Sequence, residues 1–264
     1  MYREYWNLNR YPFENTPDPG FLYLSPTHRQ ALQWLTYGIE GRKGAVVLTG
    51  DVGCGKTVLS RRVIQDLSSD RYEVAVVVNP SLSPVELLRE ILHQLGLAQI
   101  PKSKVELLHA LNASLIRNHQ AGKHTVILID EAQAIKNAGT LEELRLLLNF
   151  QLNDGYLLTL VLIGQPEWAD RLSDLPQLEQ RISVSYNLHA LEAEETECYI
   201  THRIRTAGAA SSIFTPEALR AIYLTTRGTP RRINTLCDRC LLAGYQAGAR
   251  VIDEDLVHKL AAEE

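Results

Sequence analysis

Two groups of residues in this 264-residue chain have types and spacings that could do chemistry. The first, Gly50-Asp51-Val52-Gly53-Cys54-Gly55-Lys56-Thr57, fits the pattern G-x-x-x-x-G-K-[ST] and is continued by Val58. Its chemistry is the binding of a polyphosphate. Backbone N–H groups of a glycine-rich loop and of the helical turn after it converge on anionic oxygens, and the helix dipole favours negative charge there. Lys56 would reach the β- and γ-phosphates, and the Thr57 hydroxyl would ligate Mg²⁺. Gly50, Gly53 and Gly55 let the backbone come close without a Cβ in the way. The second group is Asp130-Glu131, directly after the apolar run Thr125-Val126-Ile127-Leu128-Ile129. Asp130 would hold Mg²⁺ through water, and Glu131 could polarise an attacking water. Each group has a plainer explanation: a chance glycine turn, or an acidic pair capping the next helix. The strand–turn–helix context of the first group and the presence of both groups in one chain favour a nucleoside triphosphate that is bound and hydrolysed.

Such a site needs parallel strands that end side by side. Ala45–Thr49 reads as a buried strand entering the loop, and Val58–Leu67 as the helix leaving it, with Val58, Leu59, Val63, Ile64 and Leu67 roughly on one side. Tyr72–Val78 reads as a second strand, ending at Asn79-Pro80, and Leu157–Ile163 as another, ending at Gly164-Gln165-Pro166. Helices are expected from Ser25 to Ile39, Ser83 to Leu95, Lys104 to Asn118 and Leu141 to Asn149. Proline near the start and Gly96 after Leu95 mark helix ends. Strands alternating with helices imply a parallel sheet with right-handed crossovers, whose ligands sit at the carboxyl ends of the strands. From about Leu191 the pattern is purely helical: Glu194–Ala207, Thr215–Thr226, Arg231–Ala247 and Asp253–Ala262. The expected division is an α/β nucleotide-binding domain over residues 1–190, with a leader over 1–43, and a helical lid over 191–264.

Composition bounds the function class. Hydrophobic residues make up 45% and charged residues 22% of the chain, as in a globular domain, and the formal net charge is −4. No apolar stretch approaches the ~20 residues that span a bilayer, and the N-terminus has no apolar signal region. A cytoplasmic location is expected. Cys237 and Cys240 are spaced C-x-x-C, but no second Cys or His pair lies near them. Small buried helix residues are the expectation there, rather than a zinc or redox site.

The phosphate loop, the Asp130-Glu131 pair and the helical C-terminus together resemble the AAA+ ATPases. The resemblance implies a parallel five-stranded sheet flanked by helices. It also implies roles for residues outside the two motifs. Asn79 is similar to the asparagine that positions the glutamate, and Gln165 to the sensor that contacts the γ-phosphate or the water, a position more usually Asn, Ser or Thr. Arg181, in Gln180-Arg181-Ile182, matches the arginine finger supplied to a neighbouring subunit, with Arg171 as the other candidate. Arg231, in Gly228-Thr229-Pro230-Arg231, matches the arginine that reaches the phosphates of its own subunit, with Arg232 beside it. Guanidinium groups suit charge growing on a transferring phosphoryl group.

One subfamily is closer. Tyr11-Pro12-Phe13, Thr16-Pro17-Asp18-Pro19, Phe21-Leu22-Tyr23-Leu24-Ser25-Pro26, His28-Arg29-Gln30-Ala31-Leu32, Gly164-Gln165-Pro166-Glu167 and Gly228-Thr229-Pro230-Arg231-Arg232-Ile233-Asn234 resemble the ExeA/GspA proteins. These are ATPases of type II secretion, pilus or exopolysaccharide systems. The resemblance implies ATP and Mg²⁺ as cofactors and a nucleotide-dependent, hexamer-like homo-oligomeric ring with an inner-membrane secretion or pilus partner. It also implies a leader around the adenine, with Pro12-Phe13 and Phe21 to Leu24 as base contacts, Phe21 and Leu24 foremost. Many members continue into a transmembrane helix and a peptidoglycan-binding domain, so this chain is expected to be a short member or a cytoplasmic fragment. The alternative is an AAA+ regulator that binds DNA, as in transposition. Net charge argues against a nucleic-acid-coating surface, whereas eight arginines between Thr201 and Arg250, against Glu217 and Asp238, would suit phosphate contacts.

Overall fold

The computed structural model describes residues 2–16, 18–153 and 155–263; Pro17 of the leader motif therefore lies outside the described residues. The chain forms two compact units. One comprises Gln30–Asp51 and Leu59–Leu188; the other comprises the N-terminal segment to Arg29, Val52–Val58 and the segment from His189.

The first unit is built on a sheet. Its strands are β1 (Ala45–Gly50), β2 (Tyr72–Val77), β3 (His124–Ile129), β6 (Leu158–Ile163) and β7 (Ile182–Leu188), while β4 (Gln151–Leu152) and β5 (Gly155–Tyr156) form a small antiparallel pair. The five-stranded sheet has the order β2-β3-β6-β1-β7, and every pairing is parallel. β1, β3 and β6 occupy its interior, and all their residues are buried. Apolar runs form these strands because a central parallel strand is covered on both faces. Ala45, Val47, Ala75, Val77, Ile127, Ile129, Leu160 and Leu162 share one core with the helices Pro84–Gln94, Lys104–Gln120 and Ala138–Leu147. The first two helices begin at capping boxes, Ser83 with Glu86 and Ser103 with Glu106. In a capping box each side chain satisfies a backbone N–H that the first turn would otherwise leave unpaired.

The second unit packs Ala193–Thr206, Pro216–Thr226, Pro230–Ala247 and Glu254–Ala261 around Ile200, Ile222, Ile233, Leu236 and Leu241. Cys237 and Cys240 belong to this core and are fully buried; burial pushes both thiols up, Cys240 to about 12. They are neutral packing groups here.

The leader differs from its expected place. Tyr2, Trp6, Phe13 and Phe21 belong to the core of the helical unit, not to the sheet. Arg203 ties the leader backbone there: Nε donates to Pro12 O at 2.5 Å and Nη2 to Glu14 O at 3.1 Å, while Nη1 donates to the Tyr199 hydroxyl of its own helix at 2.8 Å. Large aromatic residues in a proline-punctuated segment need an apolar surface, but nothing in their own spacing says which core provides it. Strand β7 is absent from the pattern read in the sequence. It lies at the edge, where Ser183, Ser185 and Asn187 alternate with inward residues, so no apolar run marks it.

Candidate nucleotide site

β1 ends at Gly50, and Lys56 opens the helix Lys56–Asp66, so the eight-residue motif comprises the last residue of β1, the turn Asp51–Gly55 and the first two residues of the helix. Gly53 (φ +85°) and Gly55 (φ +99°) both take the left-handed region, which a side chain would strain. Space forbids a side chain at Gly53 as well, since a Cβ there would stand 2.7 Å from the Arg231 Cβ. The Arg231 N–H donates to Gly53 O at 3.2 Å, which brings the head of the helix Pro230–Ala247 onto the loop. Gly53 to Val58 and Arg231 thus form one cluster. Lys56 is buried, whereas Asp51 and Val52 are exposed.

The loop has a support that the sequence did not reveal. Ser25 caps the helix Pro26–Glu40 by accepting from the His28 N–H at 3.2 Å, and its hydroxyl lies 2.8 Å from His28 Nδ1. The other ring nitrogen, Nε2, lies 3.0 Å from the Cys54 carbonyl oxygen. A carbonyl only accepts, so Nε2 carries the hydrogen. In the neutral ring Nδ1 then accepts from Ser25. Burial favours that neutral form and lowers the His28 pKa, against opposing effects of the Cys54 carbonyl and Glu195. Cys54 is fully buried, so His28 satisfies a carbonyl that water cannot reach.

The carboxylates occupy the carboxyl edge of the sheet. Val77 pairs with Ile129, Ile129 with Leu162, and Ile163 with Leu48. The ends of β2, β3 and β6 are therefore level to within one residue, β1 runs two residues further to Gly50, and Asn79, Asp130 and Gln165 follow β2, β3 and β6 along one edge. Asp130 is buried; its N–H donates to Val77 O at 2.9 Å, and its Oδ1 accepts from the Glu131 N–H at 2.9 Å. Glu131 adopts left-handed backbone angles, φ 52° and ψ 41°, which cost a non-glycine residue about 1–2 kcal/mol. Its carboxylate accepts a hydrogen bond from Gln133 Nε2, and Gln133 Oε1 accepts from the Gln165 N–H at 3.1 Å. Gln133 is the second residue that sequence reasoning missed, although it stands in the same Asp130-Glu131-Ala132-Gln133 run.

The remaining expected residues are placed as follows. Asn79 Oδ1 accepts from the Ser81 N–H at 3.4 Å within its own turn, and the residue is exposed. Arg181 Nη1 donates to Leu148 O at 2.9 Å. Arg171 bonds two carbonyls, Ile135 O and Lys136 O, and Arg232 Nη2 donates to Thr225 O at 3.1 Å. Leu24 is half-buried. Phe21 is buried, and its ring is flanked by the guanidinium groups of Arg10 at 4.6 Å and Arg203 at 5.0 Å. A ring so enclosed has little surface left for a base.

An AAA domain family model matches residues 39–172. General secretion pathway protein A of Aeromonas hydrophila is 40% identical over 255 residues, which cover 96% of this chain and 46% of that protein. The chain thus spans about half the length of this curated relative. Among solved structures, the Aeropyrum pernix ORC2 protein in ADPNP–ADP complexes aligns with a TM-score of 0.73 at 20% identity, over 97% of this chain and 72% of that one. Drosophila ORC bound to DNA aligns with a TM-score of 0.66 at 19% identity, over 96% and 65%. The Thermotoga maritima RuvB Holliday junction branch migration motor gives 0.58 at 22%, over 88% and 66%. These likenesses establish the fold.

Proposed function

The chain belongs to the AAA domain family, and from that premise we propose that it binds and hydrolyses ATP in a nucleotide-dependent homo-oligomer. The observation that carries the reading is the glycine loop between β1 and the helix Lys56–Asp66, held by Arg231 on one carbonyl and His28 on the next. Gly50 to Val58 supply the cradle, Lys56 the positive charge on the β- and γ-phosphates, and Arg231 a guanidinium at the same loop. Glu131 orients the water, and Asn79 and Gln165 respond to the γ-phosphate.

Thr57 and Asp130 fit a Mg²⁺ ion by their chemistry, since a hydroxyl and a carboxylate are the hard oxygen donors it prefers. Among the described residues no group of three His, Cys, Asp or Glu could enclose a metal. Such an ion would take its other ligands from the triphosphate and water, and it would neutralise charge on the phosphates when bound.

Arg181 is the finger offered to a neighbouring subunit in this reading. It gives up one carbonyl contact to leave its place, whereas Arg171 gives up two. ATP turnover per protomer is expected to rise with protein concentration, and Arg181→Ala to remove turnover while ATP affinity changes less than about threefold. A variant that turns over normally would contradict the assignment.

Similarity to general secretion pathway protein A supports work on a bacterial secretion or pilus-like assembly, in the cytoplasm and recruited by an inner-membrane partner. No helix of the described residues is long and apolar enough to cross a membrane. The DNA-binding alternative draws on the basic C-terminal unit, but several of its arginines are engaged elsewhere. Arg203 is buried under the leader, Arg231 meets the loop, and Arg239 pairs with Glu263 at 3.5 Å.

A further inference from the structure

Glu131 and Gln165 leave different strands, β3 and β6, yet one side chain touches both. Gln133 Nε2 donates to a Glu131 carboxylate oxygen, and Gln133 Oε1 accepts from the Gln165 N–H at 3.1 Å. These partners fix the amide's orientation without ambiguity, because a carboxylate can only accept and a backbone N–H can only donate. They also fix the residue type. A primary amide donates and accepts from one planar group, and the Gln133 side chain is long enough to span the two strand ends. A carboxylate at this position would repel Glu131 and donate nothing to it. An aliphatic side chain would make neither bond.

Glu131 needs such a partner. Its backbone is left-handed and its side chain exposed, so packing does not select a rotamer for the carboxylate. Asn79 bonds the Ser81 N–H within its own turn. We infer that Gln133 is a positioning residue for hydrolysis: it sets the direction of the Glu131 carboxylate and ties it to the Gly164-Gln165 segment at the end of β6. A shift of the Gln165 backbone is thereby transmitted to Glu131 through one amide. The inference rests on the ATPase reading above and adds to it a residue that acts through Glu131.

The test is steady-state ATP hydrolysis by the full chain, wild type beside Gln133→Leu and Gln133→Glu, each also combined with Glu131→Gln. Misdirection of a catalytic group by about 1 Å costs roughly 100-fold, so kcat is expected to fall roughly 10- to 100-fold in Gln133→Leu while KM stays within about threefold. Gln133→Glu, which nearly preserves shape and adds repulsion, is expected to fall at least as far. In the Glu131→Gln background either change should alter the residual rate by less than about twofold, since a residue acting only through Glu131 has nothing left to position. Unchanged kcat in both single variants, a loss confined to KM, or losses that multiply in the Glu131→Gln background would overturn the inference while leaving the ATPase reading intact. A wild-type protein that binds ATP without hydrolysing it would overturn both.

Discussion

The Cys54 carbonyl oxygen is buried within the phosphate loop, and His28 is its hydrogen-bond partner. Removing one partner from a buried acceptor costs about 1–3 kcal/mol, more than the net worth of an ordinary hydrogen bond. In His28→Leu that cost falls on the loop. Reorienting the loop to satisfy the carbonyl would turn neighbouring N–H groups away from the phosphates. ATP affinity is therefore expected to fall roughly tenfold, equivalent to ~1.4 kcal/mol, in a fluorescence titration; affinity equal to wild type would show that the loop holds its shape unaided. Lys56, Thr57, Asp130 and Glu131 stand out as candidates in the sequence because local spacing marks them. His28 could not, because its partner is 26 residues away and a lone histidine near a helix start has many uses. Gln133 was hidden differently: its neighbours were recognised, but the side chain it serves and the backbone it holds leave different strands.

Among the elements, the interior strands were the easiest to read and the edge strand the hardest. β1, β3 and β6 are apolar throughout because both faces are covered, whereas β7 alternates and resembles a loop. The pairing of β3 with β6 contains a titrating group that allows a test. His124 Nε2 lies 2.9 Å from Thr159 Oγ1, and that hydroxyl donates to Lys43 O at 2.6 Å, so the ring nitrogen is the donor. Burial, followed by the charges of Arg42 and His119, pushes the His124 pKa down to about 4. An unfolded histidine titrates near 6.5, so between those values the unfolded chain takes up a proton that the folded one refuses. The contribution is present in full above about pH 6.5 and is lost as pH falls toward about 4. Urea unfolding at pH 7 and pH 5 is expected to differ by ~2 kcal/mol more in wild type than in His124→Asn. Equal differences would mean that His124 accepts its proton in the folded state.

For the whole molecule, the sequence pattern divides the chain at about residue 190, but the contacts divide it less simply. The leader and Val52–Val58 group with the C-terminal helices, while Asp130, Glu131, Asn79 and Gln165 belong to the sheet unit. The helical unit thus includes both Arg231 and the loop that Arg231 meets, a grouping that no local pattern could announce. The central claim is that this chain is an ATPase whose chemistry depends on Glu131. Its most direct test is ATP hydrolysis by Glu131→Gln beside wild type at saturating nucleotide. The expected result is that the variant binds ATP within about threefold of wild type and hydrolyses it roughly 100-fold more slowly, which separates binding from the step that orients water. Hydrolysis at the wild-type rate would contradict it.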